Sequence, residues 1–268
     1  MIREALSAAV DALRAAGIPE PRLDAELLLA EATGWDRARL AADPEAEIPP
    51  AATRRFGETV RRRLRREPVA YILGRRGFRH VELAVDPRVL IPRPETELLV
   101  ELALELAPRR VLDVGTGSGA IALAVASELP DCEVLATDTS SAALEVARAN
   151  AGRLGLTERV ELVEGTLPDL GEFDLVLANL PYVSEAEWGG LEPEVTEWEP
   201  REALLAGPDG LDAIRTLLDA GPPGRCLALE VGEGQAPAVG ELMRNAGFTA
   251  IEMRRDLAGI ERVVVGRP

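Results

Sequence analysis

The first chemistry visible in this chain is a glycine-rich turn with a carboxylate at a set distance behind it. Val111-Leu112-Asp113-Val114 reads as a strand running into Gly115-Thr116-Gly117-Ser118-Gly119, after which Ala120 opens a helical pattern. Glycines let the backbone turn sharply and approach a ligand closely, and the first turn of the following helix presents unpaired N–H groups. Asp138, nineteen residues past Gly119 at the end of the next strand, is placed to accept both hydroxyls of an adenosine ribose. Asp113 can help neutralise a cationic ligand group. Gly115 to Ala120 also satisfies the looser dinucleotide pattern with Ala at its last position, so the loop alone leaves a nicotinamide cofactor open. A turn that serves only strand-to-helix packing is the plainer alternative.

A second motif separates these readings. The strand Phe173 to Ala178 ends in Asn179-Leu180-Pro181-Tyr182, which puts a polar amide beside the cofactor crevice at the end of the fourth strand of a sheet. Turns favour Asn and Pro, so a simple turn is the competing account. The tetrapeptide resembles the N-P-P-Y signature of methyltransferases that act on adenine amino groups or glutamine side chains. In both substrates the nitrogen lone pair is delocalised into a π-system, so positioning must do most of the work. The Asn179 side-chain oxygen and the Leu180 carbonyl can accept the two N–H bonds and aim the lone pair at a sulfonium methyl, while Tyr182 packs against the flat group. Bonds that strengthen as the nitrogen becomes cationic lower the barrier selectively. Leu180 stands where the signature has its first Pro. The carbonyl survives that change, but the fixed φ is lost.

The elements needed to position these motifs are also legible. From Glu95 onward strands alternate with helices: Arg110 to Val114, Glu133 to Thr137, Val160 to Glu164, Phe173 to Ala178 and Cys226 to Val231, with a terminal antiparallel pair from Thr249 to Met253 and Arg262 to Gly266. That order predicts a mostly parallel sheet covered on both faces, with ligands at the carboxyl ends of its strands. Residues 1–68 read as a small helical domain, broken at Gly17-Ile18-Pro19, Ile48-Pro49-Pro50 and Pro68. Residues 69–94 read as a β-hairpin linker, and 95–268 as the catalytic domain.

Composition narrows the partners. Of 268 residues, 47% are hydrophobic and 28% charged, an ordinary globular balance that excludes a disordered chain. All thirty basic residues are Arg, and the net charge is -16. Residues 1–75 hold thirteen Arg against twelve acids, whereas residues 76–268 hold seventeen against thirty-four. Such a field disfavours duplex nucleic acid and suits a cationic small molecule or a basic protein. The cluster of Arg54, Arg55, Arg61, Arg62, Arg63, Arg65 and Arg66 is expected to be a solvated helix face rather than a patch that steers an acidic partner. Cys132 and Cys226 read as reduced core thiols, and His80 has no second imidazole with which to bind metal. No apolar run reaches membrane-spanning length, so a soluble cytoplasmic protein is expected.

Several further stretches look like the release-factor glutamine methyltransferases: Pro68 to Gly74, Ile91 to Glu97, Glu199-Pro200-Arg201 and Gly207 to Leu211. The similarity runs through most of the chain. It implies a class I S-adenosylmethionine-dependent methyltransferase, an α/β Rossmann-like fold with a seven-stranded sheet and a small N-terminal helical domain that engages class I peptide chain release factors. The implied reaction methylates N5 of the glutamine in the release factor's Gly-Gly-Gln loop, with S-adenosylhomocysteine as product and no metal. Gly115, Thr116, Gly117, Ser118, Gly119, Asp138 and Asn179 carry over as cofactor contacts. Thr166 carries over as a weaker contact to adenine, and Asn179, Leu180, Pro181 and Tyr182 form the glutamine site. The segment Ile91 to Glu97 has a local reading as well, since Pro94 suits a first helical turn and Glu95 and Glu97 suit its dipole. Helix initiation alone is the plainer account of that segment, and an added role in lining the substrate entrance is the alternative. The expected state is a monomer. The rivals are an adenine-N6 nucleic-acid methyltransferase acting on a flipped base, disfavoured by charge, and a cofactor-binding assembly factor in which Leu180 marks lost catalysis.

Overall fold

The computed structural model describes residues 1–165, 167–221 and 226–268, which form two compact units. The first, Met1–Gly74 with Pro193–Trp198, is helical: Ile2–Ala15, Pro21–Thr33, Arg37–Ala42, Pro50–Leu64, Val69–Leu73 and Pro193–Trp198. Its breaks follow the sequence. Gly17 takes a φ of +73°, and Pro21 and Pro50 begin their helices, where a missing N–H costs nothing. Leu13, Leu28, Leu29, Phe56, Val60 and Ile72 close its core.

Two expectations about this unit need correcting. Val69–Leu73, expected to open the hairpin linker, is a short helix that starts after Pro68 and ends at Gly74 with φ +69°. Its Ile72 is buried in the helical core, and that packing overrides the turn-like look of the glycines. The Arg cluster is not simply a solvated face. Arg63 is buried and holds Asp24 at 2.7 Å and Glu194 at 2.7 Å, and Arg66 also reaches Glu194 at 2.6 Å. Arg62 pairs with Glu67, and Arg55 donates to the Ala32 carbonyl. Burial pushes the Asp24 carboxyl up against the pull of Arg63.

The second unit, Arg75–Glu192 with Glu199–Pro268, holds nine strands among the described residues. A separate antiparallel hairpin joins β1 (Arg75–Phe78) to β2 (Val81–Ala84). The main sheet contains β3 (Arg110–Val114), β4 (Glu133–Asp138), β5 (Val160–Glu164), β6 (Leu175–Ala178), β7 (Cys226–Glu230), β8 (Ala250–Arg255) and β9 (Glu261–Arg267). Their order is β5-β4-β3-β6-β7-β9-β8. The first five run parallel, and β9 is antiparallel to both β7 and β8. Parallel strands are covered on both faces, which explains why every residue of β6 and β7 is buried.

Alternate residues serve the two faces. Val111, Leu175, Leu177 and Ala228 pack with the helices Glu97–Leu106 and Ala120–Glu128. Leu112, Val176, Leu227 and Val264 pack with Asp212–Asp219 and Ala236–Asn245. The strand order reverses at β3, which has β4 on one side and β6 on the other, so the crevice of a doubly wound sheet opens at its carboxyl end.

Candidate active site

Register brings the two motifs together. Val114 pairs with Thr137 on one side and Ala178 on the other, so Gly115, Asp138 and Asn179 leave three neighbouring strands at one level. A cavity of about 550 Å³ opens there, with Gly115, Gly117, Asp138, Asn179, Leu180 and Pro181 in its wall.

The glycine loop is held mainly by its own backbone and by two carboxylates. Gly115, Gly117 and Gly119 all have positive φ, at +74°, +56° and +85°. The N–H groups of Gly115 and Thr116 both donate to the Thr137 carbonyl at 2.9 Å. At the φ of Gly119 a side chain is strained, and a Cβ there would also stand 2.8 Å from the Leu123 side chain and 3.4 Å from Ala147. Asp113 lies wholly buried beneath the loop rather than on the cavity wall. Its Oδ2 accepts the Thr116 hydroxyl at 2.6 Å and the Ala122 N–H at 3.1 Å, while Oδ1 has no partner among the described residues. Burial pushes this carboxyl up to about 7.

Asp138 accepts one N–H on each oxygen, from Gly117 at 2.8 Å and Ser140 at 2.9 Å, and so keeps a lone pair on each for paired hydroxyls. Gly117 borders the cavity with nothing within 4 Å of where a side chain would start. An open glycine backbone beside a free-edged carboxylate fits the nucleoside part of S-adenosylmethionine.

The second loop is held from a distance. Asn179 donates from Nδ2 to the Thr96 hydroxyl at 3.1 Å. The Tyr182 carbonyl accepts the Gln235 amide at 2.8 Å, and the Gly232 N–H holds the other end of that amide at 2.9 Å. Gly210, at φ +76°, passes so close that a Cβ would meet the Tyr182 oxygen at 2.2 Å. Burial first, and then the nearby Glu230 charge, pushes the Tyr182 phenol up to about 12, so it stays neutral. Glu230, at the end of β7, is itself buried and pushed up to about 7. Leu180 packs over the cofactor loop, its Cδ2 standing 3.2 Å from where a Cβ on Gly115 would be.

The expected site residues divide accordingly. Gly115, Gly117, Asp138, Asn179, Leu180 and Pro181 reach the cavity. Thr116 and Ser118 are buried inside the loop: the Thr116 side chain caps Asp113, and the Ser118 carbonyl accepts the Asn150 amide at 2.9 Å. Gly119 sits against the helix it begins, and Tyr182 lies against Gly232. Thr166 falls outside the described residues.

Sequence reasoning missed Thr96, Gln235, Glu230 and Asn150. The Asn150 side chain joins the loop to β2 by bonding both the N–H and the carbonyl of Ala84. A buried amide within an otherwise apolar helix face was its only signal. The stretch Ile91 to Glu97 does begin a helix, through a 3₁₀ turn at Pro94–Thr96. It is anchored by the buried Glu199, which accepts the Ile91 N–H at 3.0 Å and the Arg93 guanidinium at 2.5 Å.

Comparison with known proteins agrees with this geometry. Residues 4–74 match the family model of the PrmC N-terminal domain, and residues 94–190 that of the methyltransferase small domain. The chain is 43% identical to the release factor glutamine methyltransferase of Caulobacter vibrioides, covering 98% of this chain and 95% of that protein. It is 45% identical to the Moorella thermoacetica protein of the same name, covering 97% and 96%. Among solved structures, the hMettl16 catalytic domain in complex with MAT2A 3'UTR hairpin 6 superposes with a TM-score of 0.56 at 18% identity, over 69% of this chain and 75% of that one. At that identity the likeness speaks for the methyltransferase fold alone.

Proposed function

The chain belongs to the release factor glutamine methyltransferases, and we propose that it transfers a methyl group from S-adenosylmethionine to N5 of the glutamine in the Gly-Gly-Gln loop of class I peptide chain release factors. The observation that carries this reading is that the Asn179 amide and the glycine loop with Asp138 share one cavity. An acceptor amide held by Asn179 lies within reach of a donor held by the loop.

The donor supplies an electrophilic methyl on a sulfonium. The glutamine nitrogen forms the new N–C bond, the C–S bond breaks with its electron pair going to sulfur, and one N–H proton leaves to water. The protein's part is to accept the two N–H bonds on the Asn179 oxygen and the Leu180 carbonyl, which pulls the nitrogen out of amide conjugation. These bonds strengthen as positive charge grows on nitrogen, and such interactions contribute on the order of 10²–10³ in rate. Asp138 is assigned to the ribose, and the open backbone at Gly115 and Gly117 to the remainder of the nucleoside. The helical unit is assigned to engaging the release factor. Acting on a release factor implies work in the cytoplasm; no helix among the described residues is long and apolar enough to cross a membrane.

The test is transfer of labelled methyl from S-adenosylmethionine to a purified release factor, with a Gln→Ala loop variant and adenine-containing DNA alongside. Label on the wild-type factor alone is the expected result. Label on DNA, or none on the factor despite measured cofactor binding, would contradict it.

A further inference from the structure

A side-chain amide can present either its oxygen or its NH₂ to a substrate, and only the oxygen can accept an acceptor's N–H bonds. Three residues bear on which one Asn179 presents. Its NH₂ faces the Thr96 hydroxyl at 3.1 Å. Thr96 is 3% exposed, and its hydroxyl is the hydrogen-bonding group that most favours the charged form of Glu230, itself 2% exposed. Since Ala178 pairs with Leu229, Asn179 and Glu230 leave adjacent strands side by side, with Thr96 supplied by the helix entrance. Glu230 Oε2 has no hydrogen-bond partner among the described residues, so the carboxylate keeps an open acceptor.

A hydroxyl has one proton. While it is directed to the Glu230 carboxylate, the Thr96 oxygen can only accept towards Asn179, and the amide must turn its NH₂ inward and its oxygen to the cavity. We propose that Thr96 and Glu230 are positioning residues that fix the Asn179 amide with its oxygen toward the acceptor nitrogen. Asn179 remains the group that touches substrate. If Glu230 takes up a proton, its carboxylic acid donates to the Thr96 oxygen. That frees the hydroxyl proton to point at Asn179 and favours the reversed amide. The charged groups facing Glu230 are the Glu95 carboxylate, of like sign, and Arg93 and Arg262, of opposite sign, with the neutral phenol of Tyr182 beside them.

The role of the amide in catalysis rests on the functional reading above, but its orientation can be followed without turnover. The side-chain amide signal of Asn179, assigned by its loss in Asn179→Ala, is recorded by ¹⁵N-edited NMR of the full chain from pH 5.5 to 8.5. Movement with a midpoint near 7 is expected in the wild type, in line with the value of about 7 for Glu230, and a flat response in Glu230→Gln. In parallel, Thr96→Val should lower kcat by about tenfold with the cofactor KM within about threefold, and Thr96→Ser should restore most of it, as expected for loss and recovery of one buried hydrogen bond. A flat wild-type signal, a signal that still titrates in Glu230→Gln, or Thr96→Val turning over like wild type would each overturn the proposal. Absence of methyl transfer by the wild type would instead sink the functional reading, and the amide titration would still decide the orientation.

Discussion

The two loops that meet in the cavity are built in opposite ways. The cofactor loop is held within its own neighbourhood: Asp113 bonds Thr116 three residues on, Asp138 bonds the Gly117 N–H, and Thr137 takes two N–H groups. The acceptor loop has almost no support of its own. Asn179 leans on Thr96, 83 residues earlier, and Tyr182 leans on Gln235, 53 residues later. A donor site of this kind can form from one contiguous strand-helix-strand stretch, Arg110 to Asp138, whereas the acceptor site exists only once distant parts of the second unit have packed. Damage should therefore separate: changes to the first loop should weaken cofactor binding, and changes to the second should slow transfer with the cofactor still bound.

The largest separation is expected at Asn179. Asn179→Ala should cost about 10²–10³ in single-turnover methyl transfer, the loss typical of removing one transition-state acceptor or donor. Next comes Asp138→Ala, which should weaken S-adenosylmethionine binding by about 10- to 100-fold in calorimetry, since hydrogen bonds to a charged group are worth roughly 1.5–3 kcal/mol. Gly210→Ala should follow. Its added methyl would meet the Tyr182 carbonyl at 2.2 Å in a backbone of φ +76°, so about a tenfold fall in kcat is expected, with cofactor affinity retained. Leu180→Pro, which restores the usual signature, should change kcat by less than about threefold, because the carbonyl is present either way and only backbone stiffness is gained.

The smallest effect is on stability, and it reports on both loops. Asp113 and Glu230 are pushed up to about 7 by burial, above the range near 4 expected in the unfolded chain. Each therefore costs stability above pH 7 and ceases to do so as the pH falls toward 4. Asp24, raised in the helical unit, acts in the same direction. Asp86, Glu128 and Glu187 are held low by their partners, so their contributions are lost only below about pH 4. The melting temperature without ligand should thus rise by a few degrees from pH 8 to 5.5, and Asp113→Asn and Glu230→Gln should each flatten part of that slope. A melting temperature that falls over this range would contradict the burial of both carboxyls.

The same contrast explains what could be read from the sequence. The glycine loop, Asp138 and the Asn179 tetrapeptide were legible because each is a short run following a periodic strand, and the alternation after Glu95 gave the sheet that aligns them. The supports of the acceptor loop were not. Thr96 looked like part of a helix start, which it also is, and nothing local to Glu230 or Gln235 marks them as neighbours of Tyr182. Long-range partners also defeated the reading of the Arg cluster, since Asp24 and Glu194 lie 39 and 131 positions from Arg63 in the numbering. The helix Val69–Leu73 was missed for a related reason: five residues are too few to show a period, and what makes them helical is burial of Ile72 in a core assembled from elsewhere.

The division of labour between the loops is tested most directly by measuring the S-adenosylmethionine dissociation constant of Asn179→Ala beside that of Asp138→Ala. The expected result is an Asn179→Ala value within about threefold of wild type, less than the contribution of one ordinary hydrogen bond, while Asp138→Ala is clearly weakened. An Asn179→Ala protein that loses the cofactor as severely as Asp138→Ala would show that the two loops form a single binding site.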